Sequence, residues 1–168
     1  MGLTFVLGGA RSGKSRHAEE LVEALPPPWT YLATGEAYDD EMVERIALHR
    51  SRRGTGWVTL DVPHELAAAL RALPAGRAVL VDCLTLWLTN RLLAEADLAA
   101  ESAALVEALK AHDGPVVVVS NETGLGIVPD NALARRFRDA QGRLNQRVAA
   151  RADTVIFMVA GLPMRVKG

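Results

Sequence analysis

Apolar residues in this chain are concentrated in short continuous runs, which alternate with longer segments where apolar and polar residues are mixed. Five runs predict buried strands: residues 3–7, 29–33, 78–82, 115–120 and 154–159. Residues 57–62 form a further short alternating segment. Continuous rather than alternating runs are typical of strands that are covered on both faces in a parallel sheet.

The mixed segments predict helices between the strands. Apolar residues at helical spacing mark residues 16–25, and the other predicted helices are residues 39/40 to about 53, 65–73, two within 84–110 that break near Ala96-Asp97, and one from Asp130 or Asn131 to about 152. This alternation predicts a single α/β domain, residues 1–168, with a mainly parallel central sheet flanked by helices.

The segment between the first strand and the first helix reads Gly8-Gly9-Ala10-Arg11-Ser12-Gly13-Lys14-Ser15. It matches the phosphate-binding pattern G-x-x-x-x-G-K-[ST] at every fixed position. The glycines let backbone N–H groups point at phosphate oxygens, and the helix N-terminus adds a positive dipole end. Lys14 would reach the β- and γ-phosphates, and the Ser15 hydroxyl would ligate Mg²⁺. The sequence therefore predicts a P-loop fold that binds a nucleoside triphosphate.

Composition narrows the kind of protein that this chain can be. The chain has 19 basic and 20 acidic residues, a formal net charge of −1, which gives no bulk attraction to nucleic acid or to an anionic membrane. No apolar run approaches the roughly 18 residues that span a bilayer, and no signal-like segment opens the chain. The only cysteine, Cys83, excludes an intrachain disulfide and is expected to be a small buried apolar side chain. These features predict a cytoplasmic protein.

Asp82 is the natural partner of the phosphate-binding loop. It ends an apolar strand, the position from which a second carboxylate of P-loop enzymes holds Mg²⁺ together with the loop serine. An N-cap of the following helix is the alternative, and the loop nearby makes us favour the metal role.

Histidines are the candidates for covalent chemistry. His17, His64 and His112 are expected to be structural or exposed to solvent. His49 borders the apolar stripe of the second predicted helix, with Arg45 and Arg53 four residues to either side. These arginines would attract a triphosphate and favour the neutral imidazole, a competent nucleophile toward phosphorus. From spacing alone, a half-buried structural histidine is the more common alternative.

The order of motifs resembles that of the bifunctional adenosylcobinamide kinase/adenosylcobinamide-phosphate guanylyltransferases over nearly the whole chain. Residues 8–19, Gly8 to Glu19, match the family's opening, and the loop Asn121-Glu122-Thr123-Gly124-Leu125-Gly126-Ile127-Val128-Pro129 is the second specific match. Further matches lie at residues 31–34, 39–42, 45–46, 49–50, 82–85 and 143–147.

The resemblance implies a function in assembling the nucleotide loop of cobalamin. It implies that ATP or GTP phosphorylates adenosylcobinamide, and that GMP from GTP is then transferred onto adenosylcobinamide phosphate through a guanylyl-histidine on His49, with pyrophosphate as the other product. Mg²⁺ is the implied cofactor, and a homotrimer is the implied assembly. Residues 8–15 and Asp82 would hold the nucleotide and metal, and Thr34, Arg53 and Asp61 would contact the guanine nucleotide.

Several alternatives stay open. The chain could be a small-molecule kinase in which His49 is structural, or a nucleotide-dependent regulatory protein without turnover. A GTPase switch is disfavoured because residues 120–123 lack the N-K-x-D pattern. Asp61 could be an ordinary strand-end carboxylate, and the Asn121-Glu122 loop either lines the corrinoid or phosphate side or is a plain turn. The basic face of Arg135, Arg136 and Arg138 could meet phosphate, a neighbouring subunit or only solvent.

Overall fold

The structure, a computed structural model, describes residues 2–36 and 54–168. Within these residues seven strands form one sheet in the order β3-β2-β4-β5-β1-β6-β7. The strands are β1 Leu3–Gly8, β2 Trp29–Ala33, β3 Trp57–Asp61, β4 Ala78–Asp82, β5 Val116–Asn121, β6 Thr154–Val159 and β7 Leu162–Lys167. Every neighbouring pair is parallel except β6 and β7, which are antiparallel.

Five helices connect the described strands. They are α1 Lys14–Glu23, α2 Leu66–Ala72, α3 Leu84–Leu93, α4 Leu98–Ala111 and α5 Ala132–Arg151. The α4 and α5 helices begin with side-chain caps: Asp97 accepts from Ala99 N and Ala100 N, and Asn131 accepts from Leu133 N and Ala134 N. Such caps satisfy N–H groups that the first helical turn leaves unpaired.

The core has two layers, one on each face of the sheet. Successive residues of each central strand point to opposite faces, so Phe5 packs in one layer and Val6 in the other. The first layer contains buried residues of α2, α3, α4 and α5, and the second contains Ala18 and Val22 of α1. Because both faces are covered, the central strands are continuously apolar.

The predicted α/β fold with a mainly parallel sheet is confirmed. The strand limits at 29–33, 78–82 and 154–159 agree with the structure, and α3 and α4 are separated between Leu93 and Leu98, around the predicted break. Asn131 rather than Asp130 caps α5. The predicted helix over residues 39/40–53 lies outside the described residues.

The β7 strand was not predicted. It follows β6 through Ala160 and Gly161, whose φ angles are 49° and 83°. Two consecutive positive φ angles are typical of the tight hairpin turn that matches strand twist. All six residues of β7 are exposed, and Pro163 suits a strand that pairs only with β6 in the described part of the chain. Apolar residues do alternate along β7, at Leu162, Met164 and Val166, but the segment is only six residues long and these side chains are exposed rather than buried.

Candidate nucleotide site

The parallel strands bring their carboxyl ends to one edge of the sheet. Gly8 is paired with Asn121, and Ala33 is paired with both Asp61 and Asp82. Ligands of open α/β sheets bind outside this edge, because loops and helix N-termini meet there. The phosphate-binding loop leaves the edge at β1, which lies inside the sheet between β5 and β6.

The loop ends at the start of α1, which no side chain caps. Gly13 occupies the N-cap of α1 with φ 93°, a left-handed conformation that glycine adopts without a steric penalty. The N–H groups in the first turn of a helix without such a side-chain cap suit an anion, which lies there at the positive end of the helix dipole.

Two buried polar side chains lie within this loop. Lys14 is 7% exposed, and its ammonium donates to the carbonyl of Gly9. Ser12 is 9% exposed, and its Oγ is buried without a hydrogen-bond partner among the described residues. A buried hydroxyl without a partner is costly in a protein interior. A phosphate oxygen supplies the acceptor that Ser12 lacks, so the loop suits the ligand that its sequence predicts.

The neighbouring strand and hairpin hold the loop in place. A Cβ at Gly8 would lie 2.7 Å from the carbonyl oxygen of Met158 and 2.8 Å from Ser12 Oγ, so a side chain there would have to displace these neighbours. Gly161, in the turn between β6 and β7, donates its N–H to the carbonyl oxygen of Ser12 over 3.0 Å. The hairpin missed in the sequence is thus a support of the phosphate-binding loop.

Asp82 ends β4, and one strand, β5, separates β4 from β1. At the usual strand spacing, β4 and β1 are about 10 Å apart. The hydroxyl of Tyr31 donates to Asp82 Oδ2 over 3.0 Å. Cys83, not Asp82, occupies the N-cap position of α3, and no side chain caps that helix. Asp82 is therefore not the N-cap of α3, and the helix-capping alternative is wrong.

Thr34 follows β2 and is fully buried. Its Oγ1 accepts from Cys83 N over 2.8 Å and donates to Cys83 O over 2.6 Å. Its own N–H donates to Asp82 O over 3.2 Å. The structure thus places Thr34 against the backbone of residues 82–83, with its hydroxyl already engaged as donor and acceptor.

The other predicted nucleotide contacts are more distant or lie outside the described residues. Asp61 is exposed at the end of β3, the edge strand of the described sheet on the side away from β1. His49 and Arg53 lie outside the described residues. The structure therefore brings together residues 8–15, Thr34 and Asp82 at one edge and leaves Asp61 at its far end.

Cys83 is buried, as expected from the sequence. Burial, reinforced by the negative charge of Asp82, raises the pKa of its thiol to about 11. The thiol therefore stays protonated at neutral pH, where only the thiolate would be nucleophilic.

A buried polar cluster that sequence reasoning missed lies below the Asn121-Glu122 loop. Ser120 Oγ donates to Asn145 Oδ1 over 2.8 Å, and Gln141 Nε2 donates to both side chains over 2.9 Å. Asn145 Nδ2 then donates to Asn121 O over 3.1 Å, while Asn121 N donates to Thr85 Oγ1 over 2.8 Å. The polar residues at buried positions of β5 and α5 were the available sign of this cluster.

The same loop is tied to the phosphate-binding loop. Glu122 N donates to Gly8 O over 3.0 Å, and Gly124 N donates to Glu122 Oε1 over 2.6 Å. Arg135 donates to the carbonyls of Pro129 and Asp130, so this member of the basic face holds the start of α5. Arg138 pairs with Asp139 at 3.0 Å, and Arg136 is exposed.

The donor set is compatible with Mg²⁺. Residues 2–36 and 54–168 contain no group of three or more His, Cys, Asp or Glu side chains that could enclose a metal. Mg²⁺ in nucleotide sites typically uses one or two protein oxygens and completes its shell with phosphate and water. Ser15 and Asp82 are oxygen donors of the kind that such a site needs.

In the described portion, no helix is long and apolar enough to cross a bilayer.

The fold and loop define a P-loop nucleoside triphosphate-binding protein of the α/β class. Solved structures share this fold. The RadB recombinase superposes with a TM-score of 0.55 at 17% identity, and the match covers 93% of this chain and 73% of the RadB chain. The P4 protein of bacteriophage phi6, solved in complex with ADP, superposes with a TM-score of 0.51 at 21% identity. The match covers 96% of this chain and 52% of the P4 chain.

Sequence comparison identifies the family. Residues 4–166 match the CobU family, described as cobinamide kinase / cobinamide phosphate guanyltransferase. The bifunctional adenosylcobalamin biosynthesis protein CobP of Pseudomonas aeruginosa is 53% identical, over 97% of this chain and 96% of the relative. The bifunctional adenosylcobalamin biosynthesis protein CobU of Salmonella typhimurium is 41% identical, over 98% of this chain and 99% of the relative. The chain belongs to the CobU family, as its motifs indicated.

Proposed function

We propose that this chain is a bifunctional enzyme of cobalamin biosynthesis, which phosphorylates adenosylcobinamide with ATP or GTP and then guanylylates the product with GTP. The observation that carries the proposal is the family match over residues 4–166, combined with a complete phosphate-binding loop. The comparisons favour this bifunctional enzyme over a kinase without guanylyltransferase activity.

In the kinase step, the loop of residues 8–15 holds the triphosphate. The uncapped start of α1 and the ammonium of Lys14 surround the phosphates with positive charge. Lys14 exchanges its contact with the Gly9 carbonyl for a phosphate oxygen. Ser15 and Asp82 would hold Mg²⁺, which when bound supplies neutralisation of charge on the phosphates. The aminopropanol hydroxyl of adenosylcobinamide attacks the γ-phosphorus, and the nucleoside diphosphate leaves.

In the transfer step, His49 is the proposed nucleophile. Its imidazole nitrogen forms a bond to the α-phosphorus of GTP, and the bond from that phosphorus to pyrophosphate breaks. A phosphate oxygen of adenosylcobinamide phosphate then attacks the same phosphorus and releases the histidine, giving adenosylcobinamide-GDP. Two displacements of this kind divide one difficult transfer into two easier ones. Thr34, Arg53 and Asp61 remain the proposed guanine-nucleotide neighbours, with Thr34 contributing through its backbone position.

The acceptor is proposed to lie beside the Asn121-Glu122 loop. This loop starts next to Gly8, and its tip exposes Leu125 by 82%, Ile127 by 98% and Val128 by 64%. An exposed apolar tip beside a phosphate site suits a large, partly apolar substrate that ends in a hydroxyl or phosphate. We also propose a homotrimer in the cytoplasm, which light scattering and cell fractionation would test.

Incubation with GTP that carries radioactive phosphorus at the α-position tests the transfer step. Acid-labile, alkali-stable label is expected on the protein and is expected to be lost in His49→Ala. His112→Gln is the matched control, because His112 contacts the Arg77 carbonyl over 2.8 Å at the opposite edge of the sheet. Label that persists in His49→Ala would reject this nucleophile.

The same assay separates the alternative functions. Phosphorylation of the corrinoid with ATP but no protein labelling would indicate a kinase only, and loss of both activities would favour a regulatory protein. Lys14→Ala is expected to impair both activities if one loop serves both steps. Guanylylation that survives in Lys14→Ala would indicate two separate triphosphate sites.

A further inference from the structure

Two residues of the β2 segment, Tyr31 and Thr34, hold Asp82 at both its side chain and its backbone. We propose that this pair, here named the Asp82 clamp, positions the carboxylate of Asp82 for the metal–nucleotide complex. Neither side chain is proposed to touch the metal ion. The inference rests on the metal role proposed above for Asp82.

Tyr31 fixes the side chain. Its hydroxyl donates to Asp82 Oδ2 over 3.0 Å, and the residue is only 5% exposed. A hydrogen bond to a carboxylate in a site shielded from water is stronger than one between neutral groups. The bond restricts rotation of the carboxylate, while no hydrogen bond from residues 2–36 or 54–168 engages Oδ1. One oxygen is thereby oriented and the other is left for a ligand.

Packing fixes the direction of the Tyr31 hydroxyl. The Tyr31 ring lies edge-on to Trp57, with ring centroids 5.9 Å apart and an interplanar angle of 78°. Trp57 in turn packs against Trp29 at 5.3 Å. Edge-to-face contacts of this kind favour a definite ring orientation. The aromatic cluster of Trp29, Tyr31 and Trp57 therefore holds the Tyr31 hydroxyl in place against Asp82 at the end of β4.

Thr34 fixes the backbone at residues 82 and 83. Its N–H donates to Asp82 O, and its hydroxyl is both donor and acceptor to Cys83. Asn90 Nδ2 holds Thr34 itself by donating to Thr34 O over 2.8 Å and to Pro63 O over 3.0 Å. Because the Thr34 hydroxyl is buried and committed to Cys83, its effect on the nucleotide is indirect.

Metal affinity measured without turnover tests the clamp. Mn²⁺ is titrated by electron paramagnetic resonance into protein that holds a non-hydrolysable GTP analogue, with Tyr31→Phe, Thr34→Val, Thr34→Ser and Asp82→Asn compared with the wild type. Loss of a group that orients a ligand side chain typically weakens metal binding by about 10–100-fold, and we expect about 10-fold for Tyr31→Phe and for Thr34→Val. Thr34→Ser keeps the hydroxyl and should retain wild-type affinity.

Thr30→Val is the matched control. Thr30 lies on β2, just before Tyr31, is 2% exposed and undergoes the same chemical change as Thr34→Val, but the hydrogen bond to the Asp82 side chain comes from Tyr31 and not from Thr30. It should leave Mn²⁺ affinity unchanged. In the kinase assay, saturating Mg²⁺ should restore the kcat of Tyr31→Phe, whereas damage to the fold would not be rescued by metal.

The outcomes separate this inference from the function on which it rests. Unchanged Mn²⁺ affinity in Asp82→Asn would remove the metal role of Asp82, and the clamp with it. If Asp82→Asn binds Mn²⁺ more weakly but Tyr31→Phe and Thr34→Val keep the affinity of Thr30→Val, the clamp alone is overturned. If Thr34→Val does not fold, Tyr31→Phe by itself decides the question.

Discussion

Two adjacent glycines of the phosphate-binding loop should respond oppositely to the same substitution. Gly8→Ala would place a Cβ 2.7 Å from the carbonyl oxygen of Met158, 2.8 Å from Ser12 Oγ and 3.2 Å from Met158 Cβ. At Gly9 a Cβ would meet nothing within 4 Å, and the residue has no positive φ. The two variants therefore add the same methyl group to the same loop with very different steric consequences.

The structure sets the expected magnitude. The nearest obstacle at Gly8 is backbone of the neighbouring strand β6, so Ser12 can rotate away but Met158 O can move only with its strand. Overpacking of this kind typically costs about 1–3 kcal/mol, which for a chain of this size lowers Tm by roughly 2–12 °C. Gly9→Ala should be neutral or stabilising by up to about 1 kcal/mol, because alanine restricts the unfolded chain.

Urea unfolding of both variants, followed by tryptophan fluorescence, measures the difference. Binding of a fluorescent GTP analogue adds a second readout, since displacement of Ser12 or β6 should weaken the nucleotide site in Gly8→Ala. Equal free energies of unfolding for the two variants would refute the assigned close approach between Gly8 and β6.

Three further predictions concern stability. Asn131→Ala and Asp97→Ala should each lower the free energy of unfolding by about 1 kcal/mol, because each residue accepts two backbone N–H groups at a helix start; urea unfolding checks this. Leu144→Ala, at a site 1% exposed, should cost about 2–5 kcal/mol, whereas Leu133→Ala, 50% exposed, should cost far less in the same assay. The pKa of Cys83 is about 11 when folded, so the folded state keeps a proton that the unfolded chain loses; stability should fall as pH rises above about 8.5, and Cys83→Ala should flatten that fall in unfolding titrations.

Local chemistry made the phosphate-binding loop and the central strands predictable from sequence. The loop depends on glycines and on Lys14 and Ser15 at fixed spacing, between a strand and a helix that are its immediate neighbours. The central strands are covered on both faces, so burial requires a continuous apolar run, as in residues 116–119 of β5. Each of these features is encoded within about ten consecutive residues.

Contacts between distant segments were not predictable in this way. Tyr31 is 51 residues from Asp82, and Ser120 is joined to Gln141 and Asn145 across 21 and 25 residues. A tyrosine in a β-strand and polar residues in a helix are compatible with many environments, and only the strand order and helix packing select their partners. The exposed β7 strand likewise takes its structure from pairing with β6.

The sequence by itself thus determined the α/β class, the triphosphate loop and, through its motif order, the family. Tertiary structure decided how the carboxyl ends of β4, β5 and β1 meet, which turn supports the loop, and that the Thr34 hydroxyl is used by Cys83. The physical reason is one of range. Backbone conformation and burial pattern depend on neighbouring residues, whereas the orientation of the Asp82 carboxylate depends on atoms that only the folded sheet brings within hydrogen-bonding distance.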